Sequence, residues 1–194
     1  MERKWFNFFV LLVVLALIAG AFFLLPAMQQ STFEKQYDEM SSAWKNAGFN
    51  RLFYHSSAPE LEALSTEKLQ SIKSSLSSYN SQCTSPALAD LSSAYIVLTD
   101  YIISKKELGS LMESLPAQTA ASCAYLQEYE DLLAKAEENI TYYNEYVSLA
   151  NAFVSSYPGE AAAIDFSSVE GESLPQEEIE SLREGFNSIK EKCA

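Results

Sequence analysis

The stretch PAQTAASCAYLQEYEDLLAKAEENITYYNEYVSLANAFVSSYPG, residues 116–159, decides the fold. Within it Leu126, Tyr129, Leu133, Ala136, Ile140, Tyr143, Val147, Ala150 and Val154 recur at spacings of three and four. A helix turns once in about 3.6 residues, so this alternation lays the nine side chains along one face. The pattern persists for about four heptads, which predicts a long helix lying along a partner in coiled-coil-like packing. Pro158-Gly159 is the stop signal.

The segments on either side repeat the theme. Upstream, TSPALADLSSAYIVLTDYIISKKELGSLMESL, residues 84–115, opens with Thr84-Ser85-Pro86, a helix start. Leu88, Leu91, Tyr95, Leu98 and Ile102 form one stripe, and Val97, Tyr101, Leu108, Leu111 and Leu115 widen it. A helix apolar over so broad an arc is predicted to be central. Gly109 reads as a break or a close contact. Before it, SSAPELEALSTEKLQSIKSSLSSYNSQC, residues 56–83, places Leu69, Ile72, Leu76, Tyr79 and Cys83 on one face, with Pro59 suited to a first helical position. Earlier still, Phe33, Tyr37, Met40, Trp44 and Ala47 share a face, and Gly48 and Asn50 supply an end. Downstream, residues 160–175 read as a loop, with a helical turn open at Ala161–Ile164. The last helix carries Ile179, Leu182, Phe186, Ile189 and Cys193 on one side. Its Glu177 and Glu178 near the start, and Lys190 and Lys192 near the end, complement the helix dipole. Gly and Pro number only six each, and no segment reads as a strand.

The chain opens MERKWFNFFVLLVVLALIAGAFFLLPAMQQ, and Trp5 to Met28 carries no charge. As a helix that run reaches roughly 36 Å, against about 30 Å for the hydrocarbon core of a bilayer. Ala19-Gly20-Ala21 resembles a signal-peptide cleavage site, but Phe22-Phe23-Leu24-Leu25 carries the apolar run past it. The first cysteine is Cys83, so a lipoprotein-type cysteine is missing near the span. The reading is therefore a retained anchor, with a cleaved signal as the alternative. Arg3 and Lys4 precede the span and only polar residues follow it, which predicts a cytoplasmic N-terminus. The expected organisation is a cytoplasmic stub at 1–4, a transmembrane anchor at 5–28, and a juxtamembrane helix with its connecting loop at 29–58. Residues 59–194 then form an extracytoplasmic helical bundle. The fold class is all-α: a single N-terminal transmembrane helix followed by an antiparallel bundle of about four or five helices.

The formal net charge of -13 speaks against nucleic acid and against a polybasic lipid-binding face. Three cysteines permit one intramolecular bridge and leave one thiol over. A helix over residues 86–113 is about 40 Å long, which holds Cys83 and Cys123 near opposite ends and beyond the roughly 7 Å that a bridge tolerates. Cys193 can pair with either. Cys123–Cys193 is favoured, and three unpaired buried thiols is the alternative.

Chemistry-bearing groups are sparse. His55 is the single histidine, so the usual zinc sets cannot assemble. A Cys–His pair of His55 with Cys123 or Cys83 has no motif behind it. Glu128, Glu130, Asp131, Glu137 and Glu138 lie beside the apolar stripe and read as a solvated face. Tyr95, Tyr101, Tyr125, Tyr129, Tyr142, Tyr143 and Tyr146 read as core and rim, with a ligand pocket or a partner surface as the functional alternative. Asn139-Ile140-Thr141 matches a glycosylation acceptor, although it falls mid-helix. Phosphate-binding glycine loops and nucleophile elbows are absent.

No catalytic residue, cofactor-binding residue or metal ligand is expected. The lipid bilayer is the expected partner of residues 5–28, with a protein partner or self-association for the remainder. The leading expectation is a non-enzymatic interaction or assembly subunit of an envelope complex. Its rivals are a ligand-binding or sensory domain and a pilin-like filament subunit, although the processing context of type IV pilins is not found here.

Overall fold

The computed structural model describes residues 32–42, 63–115, 123–169 and 176–193, and every regular element among them is helical. The anchor expected at 5–28, the end of the juxtamembrane helix with Trp44 and Ala47, Pro59 and His55 lie outside the described residues. Helix α1 covers residues 32–42, α2 Thr66–Gln82 and α3 Pro86–Ser114. A short 3-10 turn at Cys123–Tyr125 leads into α4, Leu126–Ser156, followed by α5, Pro158–Ala163, and α6, Gln176–Cys193.

Short-range chemistry sets the boundaries. Ser65 caps α2, its hydroxyl accepting from the Lys68 amide at 3.3 Å. Ser85 caps α3, directly before Pro86, whose fixed φ and missing N–H suit a first helical position. Only Cys83, Thr84 and Ser85 separate α2 from α3, so the two must fold back as an antiparallel hairpin. Lys73 pairs with Asp100 and Asn80 donates to the Ser93 hydroxyl at 3.1 Å, which fixes their register.

Helices α3 and α4 form the main axis. Asn139 reaches the Tyr101 carbonyl and Lys135 reaches Glu107, so they too run antiparallel. The α3 stripe Leu88, Leu91, Tyr95, Leu98 and Ile102 is buried as expected, and it meets Leu69, Ile72 and Leu76 of α2 and Ala150 and Phe153 of α4 in one core. Phe33, Tyr37 and Met40 of α1 join it, and the Tyr79 hydroxyl donates to the Gln36 carbonyl at 3.2 Å. Among the described residues α3 is the one helix long and apolar enough to cross a membrane, but 56% of its apolar window is buried within the bundle. It is therefore the helix the others wrap. Gly109 lies within α3 with open space around it, so it marks neither a break nor a contact.

Helix α4 departs from its expected face. Its fully buried residues are Tyr129, Ala136, Asn139, Tyr146, Ala150 and Phe153. Tyr129, Ala136 and Ala150 belong to the predicted stripe, whereas Ile140, Tyr143, Val147 and Val154 are only half-covered. The buried ridge is rotated by about one position because Asn139 and Phe153 point into the interface with α3.

At the end of α4, Pro158 both stops one helix and starts the next, so the segment read as loop begins with α5. This short helix ends in paired reverse bonds, Phe166 N–H to the Ala161 carbonyl at 2.8 Å and Asp165 N–H to the Ala162 carbonyl at 3.3 Å. Asp165 takes the left-handed conformation this motif requires, φ 53°. The turn drives Phe166 into the core, edge-on to Phe153 with ring centres 5.4 Å apart. Asn151 then grips the following chain through both sides of its amide, accepting from the Val169 N–H at 2.9 Å and donating to its carbonyl.

Asp165 is exposed, so its backbone conformation can be tested apart from its contacts. Replacement Asp165→Val should lower stability by about 1–2 kcal/mol, since a β-branched residue resists the left-handed region. Asp165→Gly should be at least as stable as the parent. Thermal unfolding followed by circular dichroism decides; equal stability of all three proteins would show that this turn is not populated in solution.

Candidate functional site

The molecule has two unlike ends. At the base lie the start of α3, the end of α4, Cys83 and α1. At the tip lie the end of α3, the 3-10 turn and the end of α6. The 29 residues of α3 separate them by about 43 Å. The main core fills the base and middle. Towards the tip α2 falls away, and α6 flanks the first half of α4 instead.

The two predicted bridge partners meet at the tip. Cys123 and Cys193 are joined, with an S–S distance of 2.01 Å and Cα atoms 5.4 Å apart, closing a span of 70 residues. Cys123 is exposed and Cys193 half-buried. The chain folds α6 antiparallel to α4, with Arg183 paired to Glu137, which carries Cys193 up to the 3-10 turn. Cys83 remains a free thiol at the base, donating to the Ser85 carbonyl at 3.3 Å. Helix α3 holds it away from the other two.

Tyr79 stands beside Cys83. Burial, with the neighbouring Cys83 sulfur and the Glu39 carboxylate adding to it, pushes the Tyr79 hydroxyl up to about 12.

Asn139, the acceptor-pattern residue, is enclosed by its surroundings. It is only 1% exposed, and its Nδ2 donates to the Tyr101 carbonyl at 3.0 Å. The nitrogen that would carry a glycan is thus packed between two helices and engaged in a hydrogen bond. Its amide fills a core position that the sequence pattern assigns to its neighbour Ile140.

The carboxylates divide. Glu128, Glu130 and Asp131 are exposed. Glu138 and Glu107 clasp Lys135, at 2.5 and 2.8 Å, and Tyr142 donates to Glu138 at 3.1 Å. The hydrogen bond to Glu107, then that to Glu138, holds the Lys135 ammonium well above its usual range. The Lys135 bond in turn lowers Glu138. Beside this clasp is a cleft of about 450 Å³, lined by Thr66, Lys106, Glu107, Ser110, Leu111 and Lys135. Among the described residues no group of three or more His, Cys, Asp or Glu is placed to hold a metal ion.

The tyrosines serve mostly as core. Tyr95, Tyr129 and Tyr146 are buried, and Tyr101 packs on Tyr143 with ring centres 5.1 Å apart. Tyr125 differs. It sits 39% exposed at the tip, and Met112, near the end of α3, is 60% exposed. Met112 lies on no predicted stripe, and only the tertiary arrangement brings it to the same end as Tyr125. None of the protein-family models, curated proteins or solved structures compared with this chain matches it.

Asn139→Ala should cost about 1–3 kcal/mol in chemical denaturation, by removing a buried amide and its bond. The parent protein made in a glycosylating host should show no mobility shift on glycosidase treatment at this position, and a shift in correctly folded protein would refute the burial. For Tyr79 the direction follows from its raised value. The folded state keeps a proton that the unfolded chain releases near pH 10. The contribution is complete below that pH and lost as pH rises through about 12. Stability of Tyr79→Phe should fall less steeply than that of the parent over this window, and parallel curves would rule the assignment out.

Proposed function

We propose that this chain is a membrane-anchored, extracytoplasmic helical module that works without catalysis, by docking another protein of the envelope at its tip. The observation that carries the reading is the placement at the tip of Met112 and Tyr125, the two exposed large apolar side chains among the described residues. Scattered apolar residues are ordinary on a surface, but two at one end, beside half-covered neighbours such as Leu111, Leu115 and Leu126, form a docking face. Helix α1 supports the orientation. It follows the proposed span at 5–28 closely in sequence and packs towards the base, so the tip is the end carried outward from the bilayer. The charge of -13 favours a protein partner over nucleic acid or an anionic lipid surface.

A second reading, a ligand-binding or sensory domain, draws on the cleft at Lys106 and Leu111. Its lysine at position 135 is already engaged by two carboxylates, which leaves little free charge to hold an anion.

A photo-crosslinking side chain placed at Met112 or Tyr125 of the full-length protein, in its native membrane, tests the reading. The expected result is one defined protein adduct from the tip positions and none from Ser156 at the base. Ladders of self-adducts would favour a filament subunit. Absence of any adduct from the tip would count against docking there.

A further inference from the structure

Helix α6 is attached differently from every other long helix. Among its described side chains Ile179 alone is buried, and none of them enters the main core. Leu182, Phe186 and Ile189, the rest of its apolar stripe, are half-exposed. Its ion pair to α4, Arg183 with Glu137, joins two groups that are each about half-exposed. Such pairs contribute little in water. An 18-residue helix of this kind is marginal by itself. What holds it in register is the Cys123–Cys193 bridge, which ties the last residue of the helix to the turn that begins α4.

We propose that this bridge is a redox latch. While it is closed, docking of α6 is intramolecular at both ends of the helix and the weak stripe suffices. Reduction breaks the S–S bond. Cys123 and Cys193 each gain one electron and one proton, and a dithiol reductant leaves as its disulfide. Cys123 is an exposed residue, which gives such a reductant access, and exposed bridges are the labile ones. The free thiol Cys83 cannot intercept the exchange, because α3 holds it at the base. Once open, α6 leaves the flank of α4 where Arg183 meets Glu137, while the core of α1 to α4 stays folded. The latch thereby switches the amount of apolar surface at the tip.

Hydrogen exchange read by mass spectrometry on the full-length protein in detergent micelles tests this, with and without dithiothreitol. A Cys193→Ala variant run in parallel separates loss of the bridge from side effects of the reductant. The expected result is exchange in α6 faster by at least about tenfold in both the reduced parent and the variant, with α3 and the second half of α4 unchanged. Unchanged protection of α6 after verified reduction would overturn the proposal and make the bridge a brace. Loss of protection throughout the domain would overturn it too, since the bridge would then be a staple of the whole fold. Because the readout needs no partner, it stands or falls independently of docking at the tip.

Discussion

Everything else in this fold follows from the burial of α3. A helix with apolar side chains on nearly every side cannot present any long face to water, so it must be wrapped. Helix α2 covers one side because the three-residue connection gives it no other place to go. Helix α4 covers another over most of its length, and α1 and the Phe166 turn close the base. The hydrophobic term is non-directional and does not by itself choose a register. That choice falls to a few polar groups: Lys73 with Asp100, Asn80 with Ser93, and Asn139 with the Tyr101 carbonyl. Each joins a particular height on one helix to a particular height on its neighbour.

The wrapping is uneven, and the unevenness gives the molecule its polarity. At the base, α3 is enclosed by four segments, and Ala87, Leu88, Leu91, Ala94 and Tyr95 are buried. Towards the tip, α2 has not yet begun, and residues such as Leu108, Leu111 and Leu115 are half-exposed. Helix α6 occupies the tip but lies against α4 rather than α3, so it does not complete the enclosure. A covalent bond compensates for the thin packing at this end. The same bond at the base would add little, because the core there already specifies the arrangement.

Much of this was legible in the residues. The stripes of α2 and α3 agree with the buried sets because each of these helices has one dominant interface, or in α3 a face too wide to misplace. Helix α4 was harder. It meets α3 along one flank and α6 along another, so two stripes overlap, and the alternation through Ile140 and Val147 follows their sum. Asn139 escapes the pattern for a related reason. Residue type marks Asn as polar and surface-seeking, but a single backbone carbonyl at Tyr101 is enough to satisfy it inside. The short helix α5 was read as loop because Pro158-Gly159 signals a stop, while Pro at a first helical position signals a start, and here it does both. The length of α3 disfavours only a Cys83–Cys123 bridge; the choice of Cys123 over Cys83 as the partner of Cys193 rests on where α6 docks, and nothing in the sequence located α6 beside α4.

The tip residues show where sequence reasoning ends for function. Met112 and Tyr125 belong to different helical segments and to no shared pattern; only the antiparallel hairpin puts them at one end. An exposed methionine and an exposed tyrosine both suit a protein surface that must fit a partner, the first by its flexible thioether and the second by a rigid ring with a polar edge. Enclosing them within the module would have required α2 to extend further or α6 to cross onto α3. The chain does neither, and spends its covalent constraint on the helix beside them. A thin, bridged tip on a densely packed base is the arrangement expected where the base has to carry the module and the tip has to change its surface.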